Sequence, residues 1–484
     1  MMIFNNGKYK SILAAQAGEL ENIRRRVEED KDFRPCYHLA PPTGLLNDPN
    51  GLIFDGEKYH IFYQWFPFDA LHGMKHWKHF TTSDWLCYKE AQPLIPTEAF
   101  ESHGCYSGGA LMVEDKIALF YTGNTRRAED NQRIPYQNLA IFDKAGNLLE
   151  KRSLLENAPP GYTEHVRDPK PFFSATGKIR FICGAQRQDL SGTAILFEMD
   201  DLEDSPRLLG ELELPDFDNR HVFMWECPDL LKIDQQDLFI WSPQGKPREK
   251  LQYQNNYHAL YALGHLSQGR FNAESVAELD QGFDFYAPQT FGGLPNNEYA
   301  LLYAWCGLPD LSYPTDSYRW HSMLCMPREI RVHKGELYQQ PLAQIYQNIK
   351  MAQPVTVEKE IELKDLDRSY LKFDAQNTPF NICFFANRKG QRLTLSYDGK
   401  TLCLDRSHSE QTETMLKFGE QRYCALDSLH QVEIFFDRSI LEIFLNGGEK
   451  AMTSRFFIAD RQNRLSCDRP LLLEIGYPQA ISYK

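Results

Sequence analysis

The chain has no apolar run near the roughly 18 residues needed to cross a bilayer. Its mean hydropathy is −0.50. The N-terminal stretch carries a short apolar patch, but no long apolar segment follows Lys8 and Lys10. No secretory leader is therefore expected. Paired cysteines are missing too: the eleven cysteines are odd in number and scattered, with no C-x-x-C spacing. That excludes a zinc ribbon or a dense disulfide framework and leaves reduced thiols in a cytoplasmic protein as the expectation. Positive charge is short as well, with 53 basic against 66 acidic residues and a net charge of −13. A broad footprint for nucleic acid or an anionic membrane is excluded, whereas a small basic pocket for one anion is not. The expected partner is a small molecule or a neutral polymer, with no nucleic acid and no membrane.

Helical periodicity is also scarce. Residues 9–31 read as one helix, since Ile12, Leu13, Ala15, Leu20, Ile23 and Val27 recur near helical spacing. Beyond Pro35 the texture becomes short apolar and aromatic runs around polar turns, as in GLIFDGEKYHIFYQWF and GGALMVEDKIALFYTG. These predict pairs of β-strands. The pairs repeat. Their openings carry Pro49, Gly108, Pro169, Pro228 and Pro288, at intervals of 59, 61, 59 and 60 residues. Five near-equal units, each long enough for about four strands, predict a five-bladed β-propeller. The interval is lost near residue 340, and strands alternate with turns again from about 355, which predicts a β-sandwich. The expected architecture is all-β: an N-terminal helical extension over 1–32, a propeller over 33–345 and a C-terminal sandwich over 355–484.

In a propeller the openings of all blades converge on the axis, so residues far apart in sequence meet there. The openings carry Asn47-Asp48, Tyr106-Ser107, Arg167-Asp168, Trp225-Glu226, and Asp284 with Tyr286. Each alone reads as a turn or a structural ion pair. Together they place three carboxylates, Asp48, Asp168 and Glu226, at one point, which is the equipment of glycoside hydrolysis.

These residues also carry a family resemblance. LLNDPNG (45–51), Tyr63-Gln64, CYSGG (105–109), RDPK (167–170), ECPD (226–229) and DFYAPQ (284–289) follow in order. They resemble the signature series of glycoside hydrolase family 32, which includes invertases and sucrose-6-phosphate hydrolases. DRSILEIFLNGG (437–448) and Thr453-Ser454-Arg455 resemble that family's C-terminal sandwich motif. The resemblance implies a five-bladed propeller followed by a sandwich, and a retaining β-fructofuranosidase without metal or cofactor. It implies Asp48 as nucleophile, Glu226 as acid and base, and Asp168 as transition-state stabiliser. Asn47, Gln64, Tyr106, Ser107, Arg167 and Tyr286 are the implied substrate contacts. Trp77 is the expected apolar platform, and Trp225 the expected apolar wall that keeps Glu226 protonated.

The chain departs from the commoner family pattern in HGMKHWKHF (72–80), in CYSGG and in YAWCG (303–307). The first of these is basic. His72, His76 and His79 include the i, i+4 spacing of a helical zinc motif but lack its neighbouring Glu and sit in strand-like sequence, so no metal is expected there. His72, Lys75 and Lys78 are instead the candidates for recognising an anion, with Lys246, Arg248 and Lys250 as a second patch. PPGYTEHVRDPK and LDQGFDFYAPQ resemble the sucrose-6-phosphate hydrolases, so the expected substrate is sucrose 6-phosphate or sucrose. The competing readings are a hydrolase without phosphate preference, a non-catalytic sugar-binding propeller and an inverting arabinan-cleaving propeller. The intact carboxylate trio speaks against the second, and NDPNG with ECPD against the third.

Overall fold

Each repeat unit folds as an antiparallel four-stranded sheet, and the first strands of neighbouring units pack on one another around a common axis. The computed structural model describes residues 8–484. Blade I comprises β1 (Gly44–Phe54), β2 (Tyr59–Phe66), β3 (His76–Thr82) and β4 (Cys87–Glu90). Blade II comprises β5 (Cys105–Val113), β6 (Lys116–Arg126), β7 (Arg133–Asp143) and β8 (Leu148–Leu155). Blade III has β9 (Tyr162–Phe173), β10 (Ile179–Arg187), β11 (Gly192–Met199) and β12 (Arg207–Glu211). Blade IV has β13 (Met224–Ile233), β14 (Gln236–Gln244), β15 (Leu260–Ser267) and β16 (Arg270–Glu278). In blade V, β17 (Tyr286–Thr290) and β18 (Ala300–Cys306) are followed by two short strands, β19 (Trp320–His321) and β20 (Met323–Leu324). β21 (Arg328–His333) and β22 (Glu336–Pro341) complete it. The ring closes where β19 pairs in parallel with β1 and where Ile53 bridges to Gly292.

The same irregularity recurs in all five first strands. The ladder to the second strand slips between residues 46 and 49, 105 and 108, 167 and 170, 226 and 229, and 286 and 289. A bulge re-aims side chains that a regular strand would alternate between its two faces. In blades III to V it holds Asp168, Cys227 and Ala287 at φ of 64°, 47° and 47°. That is a left-handed conformation which costs a residue with a side chain about 1–2 kcal/mol. The repeated openings are thus five bulges turned toward the axis.

The single helix expected over residues 9–31 is two pieces, a 3₁₀ turn at Ile12–Ala14 and α1 at Glu19–Glu28. Gly18, at φ 77°, separates them. Leu20 and Ile23 pack on Leu45, Phe66 and Phe68 of blade I, while Val27 is buried against Phe33 and Trp320.

Past blade V, the segment read as a linker carries a short helix, Ala343–Gln347, and an edge strand, Ile349–Met351, paired with Leu471–Pro478. Two sheets then face each other across one apolar core that includes Leu371, Phe384, Leu395, Ile434 and Phe436. The last strand, Ser482–Tyr483, returns to pair in parallel with β4, so the C-terminal region is tied to blade I. Between the domains Arg328 donates to Asp280 and Glu442, and Arg406 to Asp284. All five of these side chains are buried.

Candidate active site

The five bulges line a cavity of about 350 Å³ at one end of the axis, where Asp48, Asp168 and Glu226 meet. Asp48 stands on the bulge of β1. Its Oδ2 accepts from Ser107 Oγ at 2.5 Å and its Oδ1 from Asn47 Nδ2 at 3.1 Å. Gln64 holds both donors in place: its Oε1 accepts from Asn47 at 2.5 Å and its Nε2 donates to Ser107 at 2.7 Å. Lys75 Nζ donates to Asn47 Oδ1 at 2.7 Å and lies 3.0 Å from His72 Nδ1. Burial, helped by the charge of Glu226, pushes the Asp48 pKa up, while the bonds from Ser107 and Asn47 pull it down. Burial lowers Lys75 to about 7 against the attraction of Asp48.

Asp168 sits at the floor. Its Oδ2 accepts from the Cys227 amide at 3.0 Å, and its own amide donates to Thr122 Oγ1 at 3.0 Å. Burial and the neighbouring carboxylates raise Asp168 to about 7, with Arg167 opposing them. Glu226 is held from three blades. Its Oε1 accepts from Arg167 Nη2 at 2.8 Å, and its Oε2 from Tyr286 OH at 2.7 Å and Gln244 Nε2 at 2.8 Å. Tyr106, Trp305, Lys8, Arg126 and Arg133 complete the wall.

Asn47, Gln64, Tyr106, Ser107, Arg167 and Tyr286 therefore gather with the three carboxylates, and so do His72 and Lys75. Four expectations need correcting. Trp77 is fully buried beneath the strands among Phe62, Leu94 and Tyr121. Its ring packs in the core between blades I and II and does not line the cavity. Trp305 of YAWCG is the tryptophan in the wall, its indole donating to Ser322 Oγ at 2.6 Å. Lys78 points to the opposite side of β3 from Trp77, over the rings of Trp65 and Phe80, and pairs with Glu90 outside the cavity. Trp225 packs on Phe217, Phe239 and Trp241 in the core between blades III and IV. It adjoins Glu226 in sequence, but strand alternation sends the two side chains to opposite faces. The second basic patch is structural, Lys246 bonding Asp218 and Arg248 bonding the carbonyls of Gln254 and Phe418. His76 accepts the Ile12 amide and His79 bonds His60.

Gln244, Arg126, Arg133 and Lys8 were not expected at the site. Gln244 could have been found from hairpin register, two residues beyond Ser242, the partner of Glu226. The two arginines end a strand pair, a position that the repeat phase does not mark.

Comparison with known proteins places the whole chain in one family. The family model for the glycosyl hydrolases family 32 N-terminal domain matches residues 38–341, and that for the family 32 C terminal matches residues 336–467. The chain belongs to glycoside hydrolase family 32. It is a β-fructofuranosidase-type hydrolase. It is 35% identical over 462 residues to a sucrose-6-phosphate hydrolase of Bacillus subtilis, covering 90% of this chain and 94% of that one. The solved structure of a sucrose-6-phosphate hydrolase from Lactobacillus gasseri superposes with a TM-score of 0.89 at 29% identity, covering 98% of this chain and 99% of that one. A family 32 β-fructofuranosidase of Bombyx mori gives 0.80 at 26% identity over 96% and 99% of the two chains.

Proposed function

We propose that this family 32 enzyme hydrolyses sucrose 6-phosphate to fructose and glucose 6-phosphate, with retention at the fructosyl carbon. The observation that carries the phosphate is the charge of the cavity. Lys8, Lys75, Arg126, Arg133 and Arg167 line it against Asp48, Asp168 and Glu226, five cations to three carboxylates, in a chain whose net charge is −13. Surplus positive charge concentrated in one cavity of an acidic protein fits an anionic sugar. Relatives bearing the name sucrose-6-phosphate hydrolase support the same reading.

In the reaction, Asp48 attacks the anomeric carbon of the fructosyl unit while the bond to the glucosyl oxygen breaks. Glu226 gives its proton to that oxygen. The Ser107 and Asn47 donors keep Asp48 ionised and aimed. Water then attacks the fructosyl ester, Glu226 takes its proton, and Asp48 leaves as carboxylate. Asp168 accepts hydrogen bonds from fructosyl hydroxyls, and its fixed position costs no reorganisation when positive charge builds on the ring. Eleven free cysteines support an intracellular setting, where phosphorylated sucrose would be met.

Initial rates of the purified enzyme on sucrose 6-phosphate and on sucrose test the reading. A kcat/KM at least about ten-fold higher for the phosphorylated sugar, narrowing as salt rises, is expected. Equal values would reduce the function to β-fructofuranosidase without phosphate preference.

A further inference from the structure

We infer that Arg126 and Arg133, a cross-strand pair at the end of blade II, form the clamp for the substrate's phosphate, with Lys8 of the N-terminal segment closing it. The inference rests on the sucrose 6-phosphate reading above and assigns it residues. Of the five cavity cations, two are committed. Arg167 is bonded to Glu226, and Lys75 is bonded to Asn47 and His72 beside the nucleophile. The other three, Lys8, Arg126 and Arg133, have no carboxylate partner among the described residues. Among the described residues the Arg126 side chain donates only to the Asn131 carbonyl, at 3.0 Å, and Arg133 lies over the Tyr106 ring at 5.5 Å.

The register makes the pair unusual. Arg126 and Arg133 are directly opposite each other in the last rung of the β6–β7 ladder. Like charges at directly opposed positions destabilise a strand pair. Burial lowers the Arg133 pKa, and the neighbouring charges of Arg167 and Arg126 lower it further. Two guanidinium groups on adjoining strands present several N–H donors to one tetrahedral dianion, and binding it replaces repulsion by charge-assisted hydrogen bonds. Tyr106 connects the pair to the reaction centre, because Ser107, the next residue, donates to Asp48. Lys8 comes from the other side. Its carbonyl accepts from the Met74 amide at 2.6 Å, and its backbone crosses Gly73 closely enough that a Cβ there would stand 2.6 Å from the Lys8 oxygen. That anchors Lys8 beside the His72–Lys75 turn. The anion recognised is a phosphate monoester on the leaving sugar, since the fructosyl unit must face Asp48.

The test uses the full chain with Arg126→Gln, Arg133→Gln, the double variant, Lys8→Gln and the charge-keeping Arg133→Lys. kcat/KM is measured on sucrose 6-phosphate and sucrose, and inhibition by glucose 6-phosphate is compared with that by glucose. Each Gln single variant should lose about ten-fold more on the phosphorylated sugar than on sucrose, and the double variant more still. Its inhibition by glucose 6-phosphate should fall to the level of glucose, and its salt dependence should flatten. Arg133→Lys should keep part of the preference. Equal losses on both sugars, with unfolding temperatures preserved, would overturn the clamp and make the pair structural. A double variant that keeps the wild-type preference would overturn the clamp alone. A wild type that does not distinguish the two sugars would refute the substrate reading and the clamp with it.

Discussion

At Glu226 three donors converge from blades III, IV and V, and at Asp48 two donors converge from blades I and II. A carboxylate whose job is to attack must stay ionised, and hydrogen bonds to the charged form favour it. Asp48→Ala and Glu226→Ala should both nearly abolish turnover of the natural substrate while leaving the unfolding temperature close to wild type. With a fructoside whose leaving group needs no proton, Glu226→Ala should recover a burst of released leaving group and Asp48→Ala should not. Equal recovery would overturn the role assignment. The pH profile adds a second check. Burial holds Asp48 above the ordinary carboxylate range and Asp168 at about 7, so the acid limb of kcat/KM should lie above that of a free aspartate, near 3.9. Ser107→Ala removes a donor to the ionised form, so it should move that limb to higher pH; an unmoved limb would mean that Ser107 does not poise Asp48.

The blade-opening bulge is the element on which the site depends. It places Asp48 and Asp168 within reach of donors from neighbouring blades, and glycine makes room for it. A Cβ on Gly108 would stand 1.9 Å from the Phe120 carbonyl oxygen, and the Gly108 amide donates to Asn50 Oδ1 across the blade I–II boundary. Gly108→Ala should therefore cost about 1–3 kcal/mol in denaturant unfolding, by backbone displacement. A neutral result would mean that the strand can shift freely. The intervals of 59 to 61 residues disclosed the five blades because each blade repeats the same proline or glycine at the same turn. The carboxylates were legible for the same reason, since they share that phase. The direction of individual side chains was not. Trp225 adjoins Glu226, and Trp77 and Lys78 follow Lys75 by two and three residues, yet all three side chains pack outside the cavity. Arg126 and Arg133 belong to a hairpin end outside the repeated phase, and Lys8 reaches the cavity from ahead of the expected helix, also outside that phase.

Across the whole molecule, propeller and sandwich share buried ion pairs, and these make stability depend on pH. His38 bonds Asp437 at 2.9 Å and Glu442 at 3.1 Å, and those carboxylates raise it to about 9 despite burial. A histidine raised above its unfolded value of about 6.5 contributes fully below that pH and loses the contribution as pH rises through about 9, a span worth about 3 kcal/mol. His38→Asn should be less stable than wild type at pH 6, and the difference should shrink by pH 9.5; a constant difference would show that the ring is neutral throughout. The reaction centre draws on all five blades. The central claim is that this centre works through an ester on Asp48, and mass spectrometry of the intact enzyme tests it most directly. Glu226→Ala lacks the base for the second step, so on mixing with an activated fructoside it should accumulate one hexosyl adduct, carried by the peptide containing Asp48. Release of the leaving group with no adduct, or with the adduct on another residue, would contradict the account.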